Sequence, residues 1–137
     1  MPAGYSGTPL AKKLGIKEGF RVKLVNEPRD YFNFFLDLPA GIIFTKDNKT
    51  KKDFIHYFAR SASQLKKNIN RFRQEIEQNG MIWISWPKKI SNIESDLDGN
   101  LVRQIGLQNG LVDIKVCAFN EIWSGLKFVI PVKDRIQ

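Results

Sequence analysis

Three short stretches carry residues able to grip an anion: Asn26-Glu27, Arg60-Ser61 and Trp86-Pro87-Lys88-Lys89. Each follows an apolar run that reads as a strand. In a parallel sheet all three gather at the carboxyl edge, outside which α/β folds bind their ligands. Ser61 also opens a helical pattern, and the free backbone N–H groups of a helix start favour negative charge. Arg60, Lys88 and Lys89 would add cations there and Asn26 an amide. The arrangement predicts phosphate or carboxylate recognition at Asn26, Arg60, Ser61, Lys88 and Lys89. Trp86 either stacks on a planar ligand beside them or packs at its strand end. The competing reading is that these polar residues only solubilise their loops.

Other reactive side chains point to structure. His56, the single histidine, lies inside the apolar run Phe54–Ala59 with no orienting carboxylate near it in sequence. A packed, hydrogen-bonded strand histidine is expected, not a general base. Cys117 has no cysteine or histidine partner, so an internal disulfide is excluded and a buried thiol is expected in place of a metal site. Asp113 and Lys115, two apart on one strand face, would form an ion pair. Neither a phosphate-cradling glycine loop, a metal-binding histidine pair nor a nucleophile elbow occurs, so no catalytic residue and no metal site is predicted.

The elements that must position these residues follow from periodicity. Pro9–Leu14 reads as a short helix capped by Thr8 and ended by Gly15. Phe20–Val25 alternates apolar with basic and reads as a strand. Tyr31–Leu36 permits a helical turn or a strand, and Ile42–Thr45 a short strand. The clearest unit comes next. Phe54–Ala59 is a strand covered on both faces. Ser61 and Gln64 form a capping box for a helix whose stripe is Leu65, Ile69, Phe72 and Ile76. Asn79-Gly80 stops that helix, and Met81–Trp86 is a second buried strand. Strand, helix, strand makes a parallel crossover. Asp98 then caps a second helix ended by Gly110. Val112–Phe119, with Val112, Ile114, Val116 and Ala118 on one face, pairs with Leu126–Ile130 as an antiparallel hairpin. The fold expected is a single three-layer Rossmann-like α/β domain over residues 1–137, with a mostly parallel sheet of five or six strands.

Composition bounds the partners. The chain has 137 residues, 42% hydrophobic, and a net charge of +8 from 22 basic and 14 acidic side chains. That is enough apolar content for a core and argues against disorder. Most of the imbalance sits between Lys46 and Arg73, where nine basic residues face only Asp47 and Asp53. Such a cluster favours an anionic ligand, an acidic protein or nucleic acid, or else it is a solvated loop and helix face. No nucleic-acid motif accompanies it. The lack of a membrane-length apolar run and of a secretory pattern predicts a cytoplasmic protein with no membrane partner. Exposed aromatics over Tyr31–Phe35 could instead mark a protein interface.

Three segments resemble a bacterial family known only as a domain of unknown function. They are Gly4-Tyr5-Ser6-Gly7-Thr8-Pro9-Leu10-Ala11-Lys12-Lys13-Leu14-Gly15, Trp83-Ile84-Ser85-Trp86-Pro87-Lys88-Lys89, and Gly110–Ala118 with Trp123-Ser124-Gly125-Leu126-Lys127-Phe128. The order of helix, strand, helix and terminal hairpin also resembles the back half of a Rossmann-like S-adenosylmethionine methyltransferase. That second resemblance implies a cofactor on a glycine-rich turn after the first strand and an acidic residue ending the second. Here the turn is Asn26-Glu27-Pro28-Arg29-Asp30, without glycine, and Asp47 stands in the place of the ribose-binding acid. The function expected is a non-enzymatic binding or regulatory domain with a basic, anion-binding edge and no cofactor. The alternative is a methyltransferase-like small-molecule enzyme with a degenerate S-adenosylmethionine site.

Overall fold

A computed structural model describes residues 9–136; the Gly4–Thr8 part of the first motif and its proposed cap lie outside them. Six strands form one sheet: β1 (Arg21–Val25), β2 (Ile43–Phe44), β3 (Lys52–Phe58), β4 (Ile76–Ser85), β5 (Val112–Val116) and β6 (Leu126–Val129). Their order is β2-β1-β3-β4-β6-β5. The first four run parallel, β6 runs antiparallel to β4, and β5 antiparallel to β6. The mixed α/β class and the parallel pairing of β3 with β4 match the periodicity.

Helices α2 (Ala62–Glu75) and α3 (Gly99–Gln108) cover one face of the sheet. There Leu65, Ile69, Phe72, Val102 and Ile105 pack on Ile55, Tyr57, Ile82, Ile84 and Phe128. The stripe on α2 does this because residues three and four apart share a helix face. The other face is closed by α1 (Leu10–Leu14), a 3₁₀ turn at Tyr31–Phe34 and the chain around Phe119 and Trp123. Gly15 ends α1 in the left-handed conformation, φ 85°. No described helix is long and apolar enough to cross a membrane.

Four local expectations are corrected. First, α2 stops at Glu75, not at Asn79-Gly80, which lie inside β4. Glu75 is drawn into the sheet by two lysines, and Ile76 opposite Lys52 already belongs to the strand. Gly80 is needed because a Cβ there would come 3.0 Å from the carbonyls of Glu77 and Lys52, at the register shift between β3 and β4. Second, β5 does not keep Val112, Ile114, Val116 and Ala118 on one face: Val112 packs against the core, whereas Ile114, Val116 and Ala118 are exposed. A register shift between Asp113 and Lys115 breaks the alternation. Ile114 is 55% and Val116 75% exposed, while Phe119 is buried. Third, Asp113 pairs with Arg103 at 3.2 Å, and Lys115 donates to the Lys13 carbonyl at 2.7 Å, so those two do not pair with each other. Fourth, Cys117 is only half-buried, its thiol 3.5 Å from the Ala118 carbonyl.

Within the basic segment, Lys52 belongs to neither a loop nor a surface. It is fully buried, 3.1 Å from Glu75 Oε1, which also accepts from Lys23 at 2.7 Å. Glu75 Oε2 has no hydrogen-bond partner, and Arg71 Nε stands 3.5 Å from it. The loop before β3 closes over these amines, since Lys52 donates to the Asp47 carbonyl and Lys23 to Asn48 Oδ1 at 3.0 Å.

Candidate functional site at the carboxyl edge of the sheet

The parallel strands deliver their tips to one edge. β1 ends before Asn26, which adopts the left-handed conformation at φ 58°. β3 ends at Phe58, and the Ala59 amide still pairs with the Ser85 carbonyl of β4 at 2.8 Å. Arg60 is therefore the first residue beyond the paired strands, and Ser61 starts α2 by accepting the Gln64 amide at 3.2 Å. The cap was legible in the sequence.

A groove of about 490 Å³ opens here, lined by Arg60, Ser61, Gln64, Glu94, Ser95 and Asp96. It joins Arg60 and Ser61 but none of Asn26, Trp86, Lys88 or Lys89 lines it. Asn26 is exposed beyond β1. Trp86 is buried, 8% exposed, in the core with Leu97, which is the packing alternative. Lys88 is half-buried and its amide donates to the Ile122 carbonyl at 2.8 Å, while Lys89 sits exposed in a 3₁₀ turn. The Arg60 guanidinium lies over the Trp123 ring at 5.8 Å, which fixes it at the groove mouth.

The groove's far wall was missed. Asp96 Oδ1 accepts the Ala62 amide at 2.9 Å, so the chain's own carboxylate takes the helix start reserved in the sequence reading for a ligand. Glu94 stands beside it. The available signal was charge complementarity: an acidic stretch after Lys89 facing a helix N-terminus and an arginine. The groove thus offers one cation against two carboxylates and three uncharged polar side chains. Such a lining suits a zwitterion or a polyol better than a simple anion.

The crevice between β1 and β3 is the switch point, since the chain passes outward to β2 and returns to β3 on the other side. Tyr31 fills the ground below its rim. Its ring stacks on Phe119 with centroids 5.0 Å apart, and its hydroxyl meets His56 Nδ1 at 3.0 Å. His56 Nε2 reaches Ser85 Oγ at 2.8 Å. All three polar side chains are buried, so His56 is the packed histidine expected. Burial holds its imidazole down at about 3, hence neutral, and pushes the Tyr31 phenol upward, with the charge of Glu27 adding to that. Phe32 is the exposed member of the aromatic run, edge-on to Phe44 at 5.5 Å.

Asp47 does not reach the carboxyl edge as a ribose-binding acid. Its carboxylate accepts from the Thr50 and Lys49 amides at 2.7 and 2.9 Å and from the Thr45 and Thr50 hydroxyls at 2.8 and 2.9 Å. Those bonds, the Thr50 amide foremost, hold it well below the usual carboxylate range. Among the described residues no cluster of histidine, cysteine and carboxylate side chains could hold a metal.

No family model matches the chain, and no curated protein does. Solved structures do share its fold. Magnesium protoporphyrin IX methyltransferase from Synechocystis PCC 6803, crystallised with S-adenosylmethionine, aligns with a TM-score of 0.54 and 9% identity over 88% of this chain and 74% of its own. A possible exported protein from Bordetella parapertussis aligns at 0.63 and 8% over 90% and 66%. An O-methyltransferase from neocarzinostatin biosynthesis, in complex with S-adenosylmethionine and a naphthoic acid, aligns at 0.59 and 9% over 93% and 51%. Identities this low carry the fold alone: the sheet and its covering helices are arranged as in these structures, a Rossmann-like α/β fold.

Proposed function

We propose that this chain is a methyltransferase-like small-molecule domain whose ligand lies in the groove between Arg60 and the Glu94–Asp96 wall, with S-adenosylmethionine the leading candidate. The observation that carries the reading is the pairing of opposite charges across one groove at the carboxyl edge. Arg60 would hold a carboxylate, and Glu94 and Asp96 an ammonium group or ribose hydroxyls, while Ser61 and Gln64 supply neutral hydrogen bonds. A volume of about 490 Å³ falls within the usual range for such ligands. When bound, S-adenosylmethionine supplies an activated methyl group; the residues here bind and orient. The glycine-free turn after β1 departs from the usual cradle, so the ligand depends on side chains where other members use backbone amides.

Calorimetric titration with S-adenosylmethionine and S-adenosylhomocysteine tests this. Saturable binding that weakens about tenfold, or roughly 1.4 kcal/mol, in Arg60→Ala supports the groove. Absence of binding by the wild type to either compound overturns the reading.

The Tyr31-packed crevice favours a second reading, a non-enzymatic binding domain that retains the fold without turnover. In that case the basic residues, Arg60 at the groove and half-buried Lys88 and exposed Lys89 outside it, engage an anionic ligand or an acidic partner in the cytoplasm. The resemblance to the bacterial family of unknown function is compatible with either. Ligand binding without methyl transfer, or sulfate binding lost in the double variant Lys88→Ala, Lys89→Ala, distinguishes it.

A further inference from the structure

The outer face of α2 carries charge of one sign. With about 3.6 residues to the turn, burying Leu65, Ile69 and Phe72 leaves Lys67, Asn70 and Gln74 along the outermost line of the helix. Arg73 flanks them toward α3, its Nε donating to the Gly110 carbonyl at 3.1 Å, and Lys66, two turns earlier, shares that flank. Arg71 flanks them toward β1, 3.5 Å from the Glu75 carboxylate that pairs with Lys23. Glu75 is the one acid of α2, and it is buried. Every charge that α2 shows to solvent is therefore positive.

The loop before β3 lengthens this surface. Lys51 donates to the Gln74 carbonyl and so draws the loop against the end of α2, with Lys46 and Lys49 exposed in the same loop. Asp47, the loop's one carboxylate, is already held by Thr45, Lys49, Thr50 and Lys52. Two stretches of sequence on either side of β3 thus fold onto one side of the molecule. Among the described residues, Lys46, Lys49, Lys66 and Lys67 make neither an ion pair nor a side-chain hydrogen bond. Surfaces that only keep a protein soluble mix both signs, whereas a single-sign field steers an anionic partner.

What lies between the cations selects that partner. Ser63, Gln64, Asn70 and Gln74 are exposed on α2, and none of its apolar side chains is. Cations interleaved with amides and a hydroxyl suit phosphate and sugar oxygens. A lipid surface needs an apolar face to bury, a protein hot spot an aromatic or apolar anchor, and a single strand an aromatic platform. α2 presents none of these. It also lies flat on the sheet beside α3, so it does not project as a helix reading the deep major groove of DNA must. The wide, shallow groove of an RNA duplex, lined with 2′-hydroxyls, accepts such a broad polar face.

We propose that the outer face of α2, with the loop before β3, docks double-stranded RNA without regard to its sequence. Lys66, Lys67 and Arg71 meet phosphates, and Asn70 and Gln74 meet 2′-hydroxyls. Glu94 and Asp96 bound the surface at the carboxyl edge, so it is separate from the groove and independent of the methyltransferase reading.

The test titrates the full chain into two fluorescently labelled RNA duplexes of unrelated sequence at several salt concentrations. Both should bind alike, with an affinity that falls steeply as salt rises. Lys66→Gln with Lys67→Gln should weaken binding about tenfold and lower the salt slope by about 2. Lys12→Gln with Lys17→Gln removes the same charge from exposed positions around α1 and should change both little. In the wild type, which needs no variant to fold, RNA should shift the backbone amide resonances of residues 66–71. Failure to bind either duplex overturns the proposal, and so does a Lys12, Lys17 variant that loses as much as the Lys66, Lys67 variant. Amide shifts confined to other segments overturn it too. Tighter binding to a DNA duplex, a single strand, phosphatidylserine vesicles or polyglutamate overturns duplex RNA as the occupant.

Discussion

The Ala62 amide donates to Asp96 Oδ1 at 2.9 Å, placing a carboxylate from the loop after β4 on the start of α2. The helix therefore carries its own anion, complementing the partial positive charge there. Asp96→Ala should cost about 0.5–1 kcal/mol of stability, because Ser61 still caps the Gln64 amide. The same variant should bind sulfate more tightly than the wild type, since it vacates the amide. Chemical denaturation with and without sulfate measures both, and a variant indifferent to sulfate refutes the second.

His56 makes stability depend on pH. Its imidazole is held at about 3 in the fold against 6.5 for the unperturbed group, so the unfolded chain takes up the proton first as pH falls. The contribution is complete above pH 6.5 and declines below it, at about 1.4 kcal/mol per pH unit once the unfolded histidine is fully charged. Between pH 6.5 and 5, before most carboxylates titrate, His56→Gln should flatten the slope of unfolding free energy. An unchanged slope rejects the assignment.

Tyr31→Phe removes the hydrogen-bond partner that His56 Nδ1 has among the described residues while preserving the ring stack on Phe119. A buried polar atom left alone costs about 1–3 kcal/mol. Denaturant midpoints should fall accordingly with little change in slope, and a loss below 0.5 kcal/mol would show that water reaches the ring.

Glu75→Gln should be among the most destabilising single changes, at about 3–5 kcal/mol, because it takes the counter-charge from buried Lys23 and leaves buried Lys52 with Asp47 alone, at 3.5 Å. Adding Lys52→Met to it should recover part of the loss. If the loss in the double variant equals the sum of the two single losses, the pair is not coupled.

Gly106→Ala should also destabilise, because a Cβ there would overlap the Phe128 ring across the α3–sheet contact. Phe128→Leu in the same chain should relieve part of the cost, which thermal melts of the three variants would reveal.

The sequence made the centre of the fold legible because its signals are local. Phe54–Ala59 and Met81–Trp86 are apolar on both faces, and Ser61 and Asp98 both cap as read, Asp98 Oδ1 accepting the Leu101 amide at 2.8 Å. What stayed hidden depends on partners far along the chain. Ile76 fits the helical stripe and the following strand equally, and only Glu75's attraction to Lys23 and Lys52 decides between them. The bulge in β5 changes which residues reach the core, and alternation alone cannot reveal a register shift. At the carboxyl edge, Arg60 and Ser61 were found from the strand ends. Glu94 and Asp96 come from a loop without periodicity, and their part in the groove depends on tertiary placement.

Glu75 is the last residue of α2, whereas the two amines that share its oxygen come from separate strands, β1 and β3. Neither strand can shed water from its lysine until the helix has swung its final turn into place. The amino-terminal half of the sheet accordingly has no dry form of its own, and a fragment ending before residue 75 would keep that edge wet and open.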